Sequence, residues 1–279
     1  MNNELHKPRK RFGQNFLHDM RIIQRIVSSI APKENEPVLE IGPGQGALTA
    51  VLLPHKPQLT AVEIDRDLAA MLRLKFSDDK YFSLIEGDAL QFDLRSLQAV
   101  PHSLRVVGNL PYNISTPLLF HLLSQREYIR DMHFMLQKEV VQRMAAEPGS
   151  KDYGRLSIMA QYYCQVTSLF DVPPGSFFPP PKVMSAIVRL QPREPELAAH
   201  NTEMLSQLVN IAFQQRRKTL RNTLKVIATE TQIIAAGVNP DARSETLSVA
   251  DFVRLSNQLS AQSDNEKSHA QGDSSACPA

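Results

Sequence analysis

The chain has 279 residues, 42% apolar and 22% charged, and its 31 basic and 29 acidic side chains leave a net charge of only +2. That length suits one large domain or two smaller ones with a substantial core, and the balance excludes a partner captured by bulk charge alone. Two cysteines, eight scattered histidines and no apolar run near 18 residues argue against a disulfide framework, a zinc site, a membrane span or a secretion signal, so a reducing, cytoplasmic setting is expected.

Residues 1–18 are polar and basic, with Lys7, Arg9, Lys10 and Arg11 close together. They end in Phe12-Gly-Gln-Asn-Phe-Leu17, whose apolar residues argue that part of this arm docks. From Asp19, a suitable N-cap, Ile22, Ile23, Ile26, Val27 and Ile30 recur at helical spacing, and Pro32 closes the helix. Pro37–Ile41 reads as a strand. Gly42-Pro43-Gly44-Gln45-Gly46 then forms a tight turn into a helix carrying Ala47, Leu48, Val51 and Leu52. Strand, glycine turn and helix open a nucleotide-binding βαβ unit. The next strand, Leu59–Ile64, carries Glu63 at its carboxyl end. Glu63 lies 21 residues after Gly42, a spacing that suits a carboxylate accepting ribose hydroxyls. Asp65 reads as the cap of a helix over Arg66–Lys75. A third strand, Phe82–Ile85, leads to Asp88, again just past a strand end, where open α/β sheets bind ligands.

A fourth strand, Leu104–Gly108, ends in Asn109-Leu110-Pro111-Tyr112. A helix follows through Leu118, Leu119, Leu122 and Leu123, and a fifth strand, Met132–Leu136, runs into a helix over Lys138–Ala146. Alternating strands and helices predict a mainly parallel sheet. Ile158–Val166 fits either a strand or a buried helix. Asp171–Val183 is a proline-rich stiff loop, and Ser185–Leu190 a final strand, so a late β-hairpin on the sheet is expected. After the linker Gln191–Pro195 every segment looks helical. One stripe joins Leu205, Leu208, Val209 and Ala212, and a second joins Leu220, Leu224 and Ile227. The cluster Arg216, Arg217, Lys218, Arg221 and Lys225 surrounds the start of the second. Ser248 and Asp251 resemble a capping box. The expected organisation is an arm over 1–18, a Rossmann-like sheet domain over 19–192, a small all-helical domain over 196–260, and a polar, disordered tail over 261–279.

The glycine turn alone does not choose its ligand. Gly42, Gly44 and Ala47 satisfy the dinucleotide pattern, while Gly42, Gly44 and Gly46 satisfy that of S-adenosylmethionine enzymes. The tetrapeptide after the fourth strand separates them. No His or Lys at a strand end offers the acid or base that a dehydrogenase needs. An exocyclic adenine amine, by contrast, is a weak nucleophile because its lone pair is delocalised into the ring. Acceptors gripping its hydrogens favour a localised lone pair, and the Asn109 side-chain oxygen and the Leu110 carbonyl suit that task, with Pro111 fixing the backbone. Tyr112 offers a face for stacking, worth roughly 1–3 kcal/mol per base. Beside a sulfonium methyl, catalysis can rest on positioning, with roughly 7–11 kcal/mol available in favourable cases. No metal or side-chain nucleophile is needed.

At this point the chain resembles the ribosomal RNA adenine N6,N6-dimethyltransferases, and specifically the bacterial small-subunit (16S), kasugamycin-sensitivity family. The resemblance spans Lys10 to about Leu259. It rests on Phe12–Leu17, Glu40–Gly46, Glu63–Asp65, Gly87-Asp88, Asn109–Ser115, Met135–Val140, Phe178–Val183 and Gln215–Asn222, in that order. It implies an α/β, Rossmann-like S-adenosylmethionine-dependent sheet with a small C-terminal helical domain. It implies cofactor contacts at Asn15, Leu17, Gly42, Gly44, Glu63 and Ile64, and at Asp88, Ala89 and Asn109, with Glu63 on the ribose and Asp88 on the adenine. Tyr112 and Phe178 would sandwich the target base. Four methyl transfers would dimethylate two adjacent adenosines in the 3′-terminal hairpin of 16S rRNA, within a late small-subunit (30S) assembly intermediate, releasing S-adenosylhomocysteine. Lys10, Arg11, Arg216, Arg217, Lys218 and Arg221 are the expected RNA contacts, and a monomer is expected. The rival readings are a 23S rRNA methyltransferase of the antibiotic-resistance type and a non-catalytic RNA-binding assembly factor on the same fold.

Overall fold

The computed structural model describes residues 14–111, 114–215 and 217–272, with side chains to residue 261. It divides into two compact units, residues 1–141 with 164–192, and residues 142–163 with 193–279.

The first unit opens with β1 (Phe16–Leu17) and α1 (Met20–Ile30). Asp19 caps α1, its carboxylate accepting from the Arg21 and Ile22 amides at 3.0 and 3.4 Å, and Ile23, Ile26, Val27 and Ile30 are its buried stripe. β2 (Pro37–Ile41), α2 (Ala47–Leu52), β3 (Gln58–Glu63), α3 (Arg66–Lys75) and β4 (Phe82–Glu86) follow, then β5 (Leu104–Asn109), α4 (Ser115–Leu123) and β6 (Ile129–Gln137). α5 (Lys138–Met144) leads to α6 (Arg155–Tyr163), β7 (Cys164–Val172), β8 (Phe177–Phe178) and β9 (Ser185–Pro192).

The described strands form a seven-stranded sheet in the order β4-β3-β2-β5-β6-β9-β7. The first five are parallel, while β9 runs antiparallel to both β6 and β7. The expected hairpin is therefore β7–β9, joined by the proline-rich loop. Strand order reverses between β2 and β5, which opens a crevice at their carboxyl ends. Gly108 permits this junction. A Cβ there would stand 2.5 Å from the Ile41 carbonyl oxygen, a backbone atom that cannot step aside. β1 pairs with β8 as a separate two-stranded ladder, Phe16 opposite Phe178 and Leu17 opposite Phe177.

At the amino-terminal ends of β2 and β5, away from the crevice, lies a buried ionic network. The Arg105 guanidinium grips Asp131 at 2.8 and 3.0 Å, reaches Glu36 at 3.4 Å and donates to the Ile30 carbonyl at the end of α1. Burial would raise the Asp131 carboxyl, but His133 and Arg105 hold it below the usual carboxylate range.

The second unit gathers α6, α7 (Thr202–Ala212), α8 (Leu220–Thr223), α9 (Glu230–Ala235) and α10 (Val249–Gly272). Its core joins Leu205, Leu208 and Val209 to Phe252 and Leu255, with the Phe213 ring tilted 5.9 Å from Phe252 and edge-on 6.4 Å from Tyr153.

Three expectations change here. Residues 142–163 group with the C-terminal helices, not with the sheet. Ile158–Val166 is neither all strand nor all helix: α6 ends at Tyr163 and β7 begins at Cys164. The last helix continues to Gly272, past the expected end near residue 260, with no Gly or Pro within residues 249–271 to interrupt it. The Ser248–Asp251 box forms as read, each backbone amide donating to the other's side chain at 2.8 and 3.2 Å.

Candidate active site

The crevice is lined by residues from the ends of β2 through β5 and from the segment before α1. Gly42, Gly44 and Gly46 all adopt positive φ, 65°, 58° and 74°, so the turn between β2 and α2 needs glycine. At Gly42 and Gly87 no atom lies within 4 Å of where a Cβ would stand, so the cradle is open on the side a ligand would enter.

Glu63 ends β3 and is 4% exposed. One carboxylate oxygen accepts from the Gly44 amide at 3.1 Å and the other from the Asp65 amide at 2.9 Å. Burial raises its pKa, and those two amides partly offset the rise. Each oxygen keeps a second lone pair for a hydroxyl donor. Ile64 follows, 49% exposed, an apolar surface at the rim on which a ring could lie. The Asp88 carboxylate accepts from the Leu90 backbone amide at 2.9 Å and from the Gln91 side-chain Nε2 at 3.4 Å. Asp88 and Ala89 both line the crevice.

Asn109 closes the opposite wall. Its Nδ2 donates to the Asn15 carbonyl at 2.9 Å. Because that partner can only accept, the amide orientation is fixed and Oδ1 is the free acceptor. Leu110 and Pro111 line the same wall, and the Leu110 amide donates to the Met135 carbonyl at 3.2 Å. Asn15 and Leu17 complete the lining from the N-terminal side. Phe178 is not among the lining residues. It stands 63% exposed on β8, opposite Phe16. Tyr112, Lys10, Arg11 and Arg216 lie outside the described residues.

The basic cluster differs from expectation. Arg217 and Lys218 are exposed, but they sit in the turn before α8, not on one helix with Arg221. Thr219, extended at φ −72° and ψ 162°, separates them from α8 and forms an isolated bridge with Arg243. Arg221 is engaged by Asp241 at 2.8 Å and Glu230 at 3.3 Å.

Several lining residues had no site role assigned from the sequence, Gln14, Phe16, Glu40 and His133 among them. Gln14 bonds Asp65 at 3.2 Å. Phe16 lays its ring 3.1 Å from the Cβ position of Gly44. Its apolarity within a polar arm was the available signal. Glu40, 2% exposed, accepts from the Thr49 hydroxyl at 2.7 Å, and burial lifts its carboxyl to about 7. His133 is 3% exposed, with Nδ1 3.5 Å from Asp131, and its Nε2 has no hydrogen-bond partner among the described residues. Glu40 opens the Glu40–Gly46 motif, whereas nothing in the sequence marked His133 as site-facing. Among the described residues no group of three His, Cys, Asp or Glu could hold a metal ion, and no helix is long and apolar enough to cross a membrane.

A doubly wound sheet with a three-glycine turn, a strand-end carboxylate and an Asn-Leu-Pro corner defines a Rossmann-like methyltransferase, with S-adenosylmethionine the implied methyl donor. The ribosomal RNA adenine dimethylase family profile matches residues 5–261. A ribosomal RNA small subunit methyltransferase A from Pseudomonas fluorescens is 59% identical over 259 residues, covering 92% of this chain and 95% of that protein. Among solved structures, a dimethyladenosine transferase from Plasmodium falciparum is 28% identical with a TM-score of 0.72, over 91% of this chain and 98% of that one. The 23S rRNA methyltransferase ErmE is 29% identical with a TM-score of 0.68, over 88% of this chain and 100% of that one. The chain belongs to the ribosomal RNA adenine dimethylase family.

Proposed function

We propose that this protein transfers methyl groups from S-adenosylmethionine to N6 of two adjacent adenosines in the 3′-terminal hairpin of 16S rRNA, dimethylating each. Its substrate would be a small-subunit assembly intermediate in the cytoplasm, met by a monomer. The observation that carries the reading is the Asn109 amide, fixed by Asn15 at the end of β5 beside the glycine cradle. The donor supplies an electrophilic sulfonium methyl. The chain supplies position. Glu63 holds ribose hydroxyls, Ile64 and Ala89 cover the adenine ring, and Asp88 accepts from its amine. Gly42 and Gly44 let the backbone approach, while Asn15 and Leu17 close the N-terminal side.

At the acceptor, Asn109 Oδ1 and the Leu110 carbonyl would accept from the target amine, which offers two N–H groups in the first transfer and one in the second, leaving its lone pair localised toward the methyl; as the N–C bond forms the S–C bond breaks, S-adenosylhomocysteine leaves, and one proton per transfer passes to solvent. Pro111 keeps that carbonyl in place. Tyr112 and Phe178 take the two faces of the flipped base. Lys10, Arg11, Arg216, Arg217 and Lys218 neutralise phosphates. Arg221, already paired with two carboxylates, adds less.

The resemblance to a 23S rRNA methyltransferase favours a second substrate, the large-subunit RNA. Identity of 59% to a small-subunit relative outweighs it. Replacing Asn109 with Ala tests the catalytic assignment. Dimethyladenosine should vanish from mass spectra of the treated rRNA while the protein still binds that RNA. Retained dimethyladenosine would refute the role given to Asn109.

A further inference from the structure

Glu40 is an acid in the crevice that the proposed transfer does not use. It lies on β2, two residues before Gly42, on a strand beside the point where the sheet order reverses. It is 2% exposed. Its carboxyl accepts from the Thr49 hydroxyl of α2 at 2.7 Å.

The elements around it bring no lysine or arginine to it among the described residues. Its register partners are Ala61 on β3 and Val107 on β5. α1 turns the apolar stripe of Ile23, Ile26 and Val27 to the core that Val38 and Val107 share. His133, opposite Val107 on β6, is the next titratable group across the sheet, and it stands beside Asp131. Glu63 at the end of β3 acts on Glu40 with a charge of the same sign. Burial, with Glu63 adding to it, therefore keeps the proton on Glu40 and lifts its carboxyl to about 7 against the pull of Thr49.

A carboxyl without a cation thus lines a crevice whose implied methyl donor is a cation. We propose that Glu40 lets the crevice tell the methyl donor from the spent product, releasing its proton to solvent as the sulfonium docks and taking one back once sulfur is a neutral thioether. The proposal rests on the reading that the crevice takes S-adenosylmethionine. Donor and product share the adenosine and the amino-acid end. They differ by one methyl and one positive charge at sulfur. The methyl is delivered at Asn109, and β5, which ends there, lies beside β2. The sulfur therefore comes to rest over the junction of these strands, above Glu40. An opposite charge within ~4–6 Å typically moves a carboxyl down by about 1–3 pH units. The Thr49 hydroxyl can donate to the acid and to the carboxylate alike. Glu40 loses one proton on donor binding and regains one after transfer, so turnover still releases only the proton of the amine. The product offers Glu40 no charge, is held less tightly, and gives way to the next donor.

The test uses the full chain without RNA, with S-adenosylmethionine and S-adenosylhomocysteine binding followed by calorimetry. The affinity ratio of donor to product should rise at least about fivefold between about pH 5.5 and pH 8. In Glu40→Gln, which keeps the Thr49 contact without a titrating group, that rise should be lost. The donor's own amino group titrates in both proteins and cancels in the comparison. Difference infrared spectra of the wild-type protein give a second readout. The donor should remove the band of a protonated carboxyl, and the product should leave it, whether or not Glu40→Gln folds. A flat ratio in the wild-type protein, an equal rise in Glu40→Gln, or a carboxyl band that both ligands leave unchanged overturns the role of Glu40 alone. Failure of both ligands to bind overturns the cofactor reading and this role with it.

Discussion

Glu40 shows how one buried carboxyl sets a pH dependence. Its folded pKa of about 7 lies above the ordinary carboxylate value because burial disfavours the charge and Thr49 only partly compensates. The folded state therefore holds a proton that the unfolded chain releases near pH 4.5. Stability is full below that pH, falls as pH rises toward 7, and is flat above, a loss of ~3 kcal/mol at 1.4 kcal/mol per pH unit. Glu40→Gln should remove this slope and be the more stable protein at pH 8, by urea unfolding across pH 4.5–8. Equal slopes in both proteins would show that Glu40 is ionised when folded. Gly108 makes the steric counterpart. Gly108→Ala should cost ~3 kcal/mol in the same assay, because the new methyl meets the Ile41 carbonyl. A loss under ~1 kcal/mol would mean that β2 and β5 part easily.

The elements of the sheet owe their position to more than their apolar runs. Arg105 on β5 ties Asp131 on β6 to the end of α1 and to Glu36 before β2. Arg105→Met should cost roughly 3–5 kcal/mol, since it strips buried Asp131 of its guanidinium partner and leaves Glu36 to Arg130 alone among the cations. Unfolding by guanidinium measures this, and a near-neutral result would mean that water reaches Asp131 and Glu36. Strands and helices were legible where their periods were clean, as in α1 with its isoleucine stripe and at the glycine turn. α6 was not, because Leu156, Ser157, Ile158, Met159, Ala160 and Tyr162 are buried around its circumference and leave no amphipathic signature. β1 and β8 were not, because two residues carry no period. The pairing of Asn15 with Asn109 spans 94 positions and has no local trace in the sequence.

At the scale of the whole chain, charge is locally concentrated while the total stays near zero. Arg217 and Lys218 are exposed cations of the late cluster, as is Lys225 further along, whereas Arg221 is held by two carboxylates. Replacing Arg217 and Lys218 with Ala should weaken RNA binding and lower the slope of log K against log salt by about 2, roughly one for each phosphate no longer neutralised. An unchanged slope would remove them from the interface. Gly42, Glu63, Asp88 and Asn109 were legible as lining the crevice, since each stands at or just past a strand end, whereas Gln14 and His133 were not. The boundary between units was not, because residues 142–163 leave the sheet unit and the chain returns to it at β7. The central claim is the substrate. Labelled methyl transfer from S-adenosylmethionine to unmethylated small and large ribosomal subunits, with mapping of the modified bases, tests it most directly. The label should appear on N6 of two adjacent adenosines near the 3′ end of the small-subunit RNA, two methyls on each. Label in the large-subunit RNA, or in neither, would contradict it.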